Sequence, residues 1–400
     1  MRYAKYILKG VATLFMVLLF AVVVTSVSVI YNFQEPAPFC GNDVFNPYRN
    51  LDTTHCWKRA NFHTHTRVDG PLNECDYTPE QTLEFYDRLG YDIVTFSNHN
   101  KQTVHPTDSS LQVNLYEHGY NLCKFHKLVF GSSSVWHFDN LLPLFASQKQ
   151  FQIEQLRKQS DIVVLNHPLR THTLNNKQLE KISGYHIIEL DSGKSTENGY
   201  WDAALSAGIY SFGLANDDLH HPDRTRAIAV RCNQLCTPSA EYSDIRHTLL
   251  DGCYYSMRVP DYGAGDWEQK REQNRHLPYI RNIGLQQNNI FISLSEAADS
   301  IKVTGQGQRT LAVAYSTDSL AYAMAPTDSY GRFTAYFADG EVIYSNPFAR
   351  YDSHSTDSPF RTTYSVNTLL TVLYNAIIAL IAALLIYTTI KLWKKSSSAK

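Results

Sequence analysis

Histidine is the residue type that could do chemistry here: the chain has 16 of them in 400 residues. His63-Thr64-His65 follows Arg59-Ala60-Asn61-Phe62, which reads as the end of a strand. Side chains two apart on a strand point to one side, so both imidazoles can face one site. His99 lies three residues beyond a strand ending at Phe96, and His167 lies two beyond a strand ending at Leu165. Asp218-Leu219-His220 follows a strand ending at Leu214. Four strands thus end in His or Asp, and in parallel α/β folds the C-terminal strand ends converge on the active site. Imidazole with carboxylate is a ligand set for zinc, manganese or iron. Each His alone reads more simply as a surface or core residue. Their joint placement points to a divalent-metal centre.

The segments between these residues alternate in type. Thr78 caps a helix, Pro79 suits its first turn, and Glu80 favours its dipole. Thr82, Leu83, Phe85, Tyr86 and Leu89 give it an apolar stripe, and Gly90 ends it. Residues 92–96, 161–165, 185–189, 210–214 and 227–231 read as buried strands. That is α/β patterning with mostly parallel strands, in an open sheet or a barrel. Residues 255–275 are polar and read as a loop. Short alternating segments at 290–294, 301–303, 310–315 and 332–337 then predict a small antiparallel β module over 276–350.

Both ends are apolar. Residues 11–31 and 368–388 carry no charge and match the ~20 residues a helix needs to cross ~30 Å of hydrocarbon. Arg2, Lys5 and Lys9 precede the first span, and Lys391, Lys394, Lys395 and Lys400 follow the second. The positive-inside rule then makes tails 1–10 and 389–400 cytoplasmic and puts the main domain on the other face, periplasmic or extracellular. A cleaved signal peptide is the competing reading of the first segment, although no A-x-A site follows it. Residues 32–58 read as a linker. The net charge is -2, with 36 basic and 38 acidic residues, so nothing points to nucleic acid. The seven cysteines all lie between the spans. Export would favour pairing, as Cys40–Cys56, Cys75–Cys123 and a bond among Cys232, Cys236 and Cys253. A structural zinc site is the weaker alternative, because Cys232 and Cys236 form the only close pair.

His63-Thr-His65, Ser97-Asn98-His99, Asn166-His167-Pro168 and Asp218-Leu-His220 resemble, in order, the motifs of the polymerase and histidinol phosphatase (PHP) superfamily. These motifs span about residues 59–222. Trp201-Asp202 through Gly208, Leu249 through Ser256, and Tyr344-Ser345-Asn346-Pro347 resemble an exported branch that includes carbaryl-type carbamate hydrolases. The resemblance implies a distorted (β/α)7-type barrel over 59–258 with metals in its mouth and a C-terminal β module. It makes His63, His65, His99, His167, Asp218 and His220 metal ligands. His137 matches a further ligand His, and Asp69 sits near a family Asp-Gly. Two positions depart from the pattern. Ser133 stands where a metal-bridging Glu is expected, and Asn98 stands where Asp is usual. Glu189, at a strand end, is a candidate for the missing carboxylate.

The implied chemistry is hydrolysis by metal-activated water. Arg170 would take up developing charge, and His220 or His221 would protonate the leaving oxygen. Arg170 also reads as a surface cation with an ion-pair partner, and His221 as a solvent-facing neighbour of a ligand. The expected substrate is a small phosphoester, with a carboxylic or carbamic ester as the alternative. A barrel that binds metal or ligand without catalysis is the other alternative, motivated by Ser133. The two spans would tie the protein to a lipid bilayer.

Overall fold

The computed structural model describes residues 2–52, 54, 57–70, 73–192, 195–196, 198–262 and 265–394. The chain folds as a mixed α/β structure around two hydrophobic clusters. One sheet has six strands. Phe212–Asn216, Ile187–Ser192 and Ile162–Leu165 run parallel, followed by Lys127–Phe130 and Leu115–His118, each antiparallel to its neighbour. Residues 212–216, 187–190, 162–165, 127–130 and 115–118 are all buried and most are apolar, as expected for strands covered on both faces, while Glu189, Glu117 and His118 are among the polar exceptions.

The other sheet has eleven strands. Lys58–Asn61 pairs parallel with Ile93–Val94 and antiparallel with Arg231–Leu235. The sheet continues through Tyr254–Arg258 and Val342–Ser345 to Tyr330–Tyr336. Beyond them lie the long strands Asn289–Gly305 and Arg309–Ala323. The C-terminal strands are therefore hydrogen-bonded into the same sheet as Lys58–Asn61.

The ladder does not close into the expected barrel. The two sheets meet through isolated bridges, Thr64 with Leu219 and His99 with Glu117. At another seam the Asn233 side chain takes the place of a strand, bonding Ala215 N and O at 2.9 Å each. The bridging segments are the ones that carry candidate ligands, and they pair at single positions rather than as full strands.

The sheets are also less parallel than the sequence suggests. The strand expected at 227–231 lies instead at Arg231–Leu235. Asp217 Oδ1 and Oδ2 accept the backbone N–H groups of Ala229, Val230 and Arg231, and Ala229 adopts φ +50°, so this stretch turns rather than extends. The expected loop at 255–275 contains the strand Tyr254–Arg258 and the helix Trp267–Arg275, capped by Asp266. The helix Pro79–Asp87 forms as expected, with Thr78 and Gln81 in a capping box.

The terminal helices Arg2–Val24 and Thr368–Lys394 pack side by side and antiparallel. Lys9 Nζ donates to Leu392 O at 2.7 Å, and Trp393 Nε1 donates to Thr13 Oγ1 at 2.9 Å. Asn375 bonds both Ser28 N and Ser28 O. Both helices are long and apolar enough to cross a membrane. Their most apolar windows are 0% and 6% buried, unlike the core helix of a water-soluble domain.

No disulfide joins the described cysteines, and the expected Cys40–Cys56 bond falls partly outside the described residues. Cys75 and Cys123 are each buried, and the disulfide expected between them is not formed. Cys236 and Cys253 face one another across a backbone bond of 3.1 Å, also without a disulfide.

Candidate metal centre

Four backbone segments converge where the two sheets meet. His65 N donates to Leu219 O at 2.9 Å and Leu219 N donates to His63 O at 3.2 Å, so residues 63–65 and 218–220 are zipped together. Ser97 N donates to Thr64 O, and Glu117 N donates to Ser97 O, which adds the loop carrying His99 and the strand carrying Glu117. Asn98 Oδ1 accepts from Thr66 N at 2.8 Å while its Nδ2 donates to Thr66 Oγ1 and Thr103 Oγ1. A carboxylate could not make those donations, which gives the departure at Asn98 a local reason. His167, Asp218 and Asn100 all take positive φ, at +24°, +51° and +47°. Backbone held in this sparsely populated region is typical of functional sites.

The side chains thus aimed inward are six imidazoles (His63, His65, His99, His126, His167, His220) and four carboxylates (Glu74, Glu117, Glu189, Asp218). Glu117 lies at the centre. Its Oε2 is 3.3 Å from Nε2 of His63, His65 and His99, and its Oε1 is 3.2 Å from His126 Nδ1 and His167 Nε2. Asp218 Oδ1 is 3.2 Å from His63 Nε2 and 3.5 Å from His65 Nε2. Among the described residues, three overlapping sets have the mutual spacing for a cation: His63, His65, Glu117 and Asp218; His65, Glu74 and His99; and His99, Glu117 and His126.

Outer partners orient these groups. Glu189 accepts from His63 Nδ1 at 2.9 Å, from His167 N at 2.9 Å and from Asn216 Nδ2 at 3.0 Å. Asn166 Nδ2 donates to Glu117 Oε1 at 2.8 Å. With Nδ1–H of His63 given to Glu189, its Nε2 lone pair faces Asp218 and Glu117. His220 Nδ1 donates to Asp218 O at 2.8 Å, which leaves its Nε2 facing the same space. A second carboxylate or carbonyl holding the far nitrogen of each imidazole is the usual support of a metal-binding His.

The donor set fits divalent cations. His63 Nε2 and His65 Nε2 are buried and make no hydrogen bond, although carboxylate oxygens lie within 3.5 Å. Unpaired buried nitrogens are costly. Lone pairs aimed at one point alongside carboxylate oxygens suit a metal of the zinc, manganese or iron kind. Burial alone would raise the Glu117 carboxyl, yet the imidazoles of His99, His63 and His126 hold it well below the usual range. Burial likewise opposes the charged form of Asp218, and His63, His65 and His220 hold it ionised. The neighbouring carboxylates in turn raise His63 and His99, so without a cation the oxygens stay anionic against protonated rings, and a bound cation would take the place of those protons.

Of the residues singled out in the sequence, His63, His65, His99, His167, Asp218 and His220 come together, and Glu189 supports them. Asp69 is exposed in a turn and takes no part in the three sets. His137 is exposed and also stays outside them, and His221 points to solvent beside His220. Arg170 is half-exposed and its Nη1 bonds Asp218 Oδ2, so it faces the centre as a paired cation. Ser133 is exposed, and the carboxylate at the middle of the cluster is Glu117, on the strand paired with Lys127–Phe130. Glu117, His126 and Glu74 are the additions. Glu117-His118 forms the end of the short strand Leu115–His118, so it too is a His and a carboxylate at a strand end, although the strand is too short and polar to stand out in the sequence. His126 precedes a strand antiparallel to its neighbours, so a start rather than an end of strand reaches the mouth.

No family model matches the chain, and no curated protein matches it. Among solved structures, it is similar to a two-domain protein from Bacteroides vulgatus containing a predicted PHP-like metal-dependent phosphoesterase. That likeness covers 79% of this chain and 100% of the other, at 14% identity and a TM-score of 0.37. So distant a likeness carries no weight of its own, and nothing in it singles out the carbamate-hydrolysing branch.

Proposed function

We propose that this protein is a metal-dependent hydrolase, anchored in a membrane by its two terminal helices, that acts on a phosphoester. The observation that carries the reading is the convergence of buried, unbonded imidazole nitrogens with Glu117 and Asp218. His63, His65, Glu117 and Asp218 would hold one cation, and the sets around Glu74–His99 and His99–His126 would hold others. Bound divalent cations supply Lewis acidity and bring the pKa of water toward ~7. Arg170, at the edge of the centre, would share its guanidinium between Asp218 and an anionic substrate and stabilise charge on the phosphoryl oxygens. His220, the most open imidazole of the six, would deliver a proton to the leaving oxygen. Glu189 would fix the ring of His63 throughout. A barrel that binds metal or ligand without catalysis is the alternative that Ser133 motivates, and the position of Glu117 among five imidazoles favours the enzyme reading over it.

The positive-inside pattern would put the hydrolase domain on the exocytoplasmic face. The test is a substrate panel on the full-length protein in detergent: a phosphomonoester, a phosphodiester, and carboxylic and carbamic esters. Each is assayed after chelation and after return of manganese, zinc or iron. Phosphoester turnover that needs metal is expected. Turnover of the carboxylic or carbamic ester alone would replace the phosphoester assignment, and bound metal without any turnover would refute the enzyme reading.

A further inference from the structure

The helix Ala146–Arg157 serves as a ruler for where the metal centre lies relative to the terminal helices. Near its N-terminus, Ser147 Oγ accepts from Tyr31 N at 3.2 Å and Ser147 O accepts from Ser28 Oγ at 3.3 Å. About 10 Å further along, Glu154 bonds the hydroxyl of Tyr364. The paired strands Tyr31–Phe33 and Tyr364–Val366 therefore climb this helix towards its N-terminus, and the terminal helices leave from that end.

The mouth of the metal centre is at the same end. The strand Ile162–Leu165 follows the helix through a tight turn and runs back along it, which brings His167 level with the helix N-terminus. Lys149 Nζ, in the first turns of the helix, donates to Thr173 O just beyond His167 at 3.1 Å.

A short chain of bonds joins the end of the first terminal helix to the centre. Leu141 N donates to Thr25 Oγ1, and Asn140 Nδ2 donates to Val27 O at 3.1 Å. Leu122 N donates to Leu141 O at 3.0 Å, and Asp139 accepts from the N–H groups of Tyr120 and Asn121. Tyr120 OH then donates to His99 O at 2.8 Å.

The loops on this route expose large apolar side chains: Leu122 at 68%, Phe145 at 60%, Leu169 at 51% and Leu144 at 47%. Leu169 sits between His167 and Arg170, and Lys124 is exposed nearby. Exposed apolar residues beside two membrane-crossing helices, with cations among them, are what an anionic bilayer surface would cover.

We propose that the mouth of the metal centre lies against the bilayer surface, with Leu122, Leu144, Phe145 and Leu169 dipping into it, and that the substrate is a phosphoester carried on a membrane lipid. This rests on the phosphoesterase reading above. In the reaction water's oxygen bonds to phosphorus, the P–O bond to the lipid oxygen breaks, and a proton from that water ends on the lipid oxygen. Sited there, the centre meets headgroups at their own surface density.

The test uses the full-length protein reconstituted into phosphatidylcholine vesicles with manganese or zinc. Phosphatidic acid and phosphatidylglycerol in the vesicles are compared with glycerol 3-phosphate in solution. Hydrolysis of a vesicle lipid at least about tenfold faster than the soluble ester is expected. The double substitution Leu122→Asp with Phe145→Asp should slow lipid hydrolysis about tenfold and leave soluble p-nitrophenyl phosphate turnover unchanged. Separately, Phe145→Trp should show added fluorescence that brominated phosphatidylcholine quenches. Turnover of soluble esters with no lipid preference and no quenching would overturn the inference and leave the phosphoesterase reading standing. Quenching without hydrolysis of any phosphoester would overturn that reading and the lipid substrate with it.

Discussion

Glu117 contacts five imidazoles and so ties the three cation sets together. Glu117→Gln keeps its shape and removes its charge. We expect bound metal to fall and turnover to drop by more than the roughly 100-fold typical of outer-partner changes. Glu189→Gln acts through the ring of His63 and should cost about 10–100-fold in activity or metal affinity. His126→Ala should lower metal content, whereas His137→Ala should leave it unchanged, as read by elemental analysis of each purified variant. Much of this centre was legible in the sequence because paired strand ends carry His63, His65, His99, His167, Asp218 and His220. Glu117 and His126 were not, because spacing from Gly131 suggested a vacancy at Ser133. The strand order that brings a neighbouring strand's carboxylate to the middle of the cluster is a property of the sheet, not of that stretch of chain.

At the scale of elements, side chains rather than ladders join several pieces. Asp202, on the helix Asn198–Ser206, pairs with Arg332 on the strand Tyr330–Tyr336 through bonds of 2.6 and 2.9 Å, and both are buried. Asp202→Ala would leave the guanidinium buried beside Trp201 with its charge unmatched. We expect a loss of about 3–5 kcal/mol in unfolding free energy, readable by denaturant titration. His186 precedes the strand Ile187–Ser192 and accepts Val163 N at its Nδ1, which requires the neutral ring. Burial, with Arg157 and Arg246 nearby, pushes it down to about 4 from its ordinary 6.5. Its folded value lies below its unfolded one, so the unfolded chain binds the extra proton first. Stability present above pH 6.5 should therefore fall as pH drops towards 4, by roughly 3 kcal/mol. Thermal unfolding across that range should show a shallower dependence in His186→Asn. Sequence patterning found the helix at Pro79–Asp87 through its capping box, because capping is local. It misplaced the strand at 227–231, because the side chain that bends that stretch, Asp217, is brought there by the fold.

At the scale of the whole molecule, two sheets meet along seams where loops replace ladder, and the metal centre occupies one of them. At that seam residues 63–65, 97–100 and 218–220 join the sheets by isolated bridges rather than by a continuous ladder. The terminal helices were legible from composition alone, but the end of the domain from which they leave was not. That follows from contacts of Ser28, Tyr31 and Tyr364 with a helix far away in sequence. Stripping metal should destabilise the full-length protein, because six imidazoles and four carboxylates would then face one another without a cation, and re-addition of metal should raise the unfolding temperature in a concentration-dependent way. The central claim is that Glu117 and its neighbours hold divalent cations. Elemental analysis of the detergent-purified full chain, wild type beside Glu117→Gln, tests it most directly. The account predicts at least one equivalent of zinc, manganese or iron in the wild type and a clear loss in the variant; a wild type that retains no metal after loading with all three would contradict it.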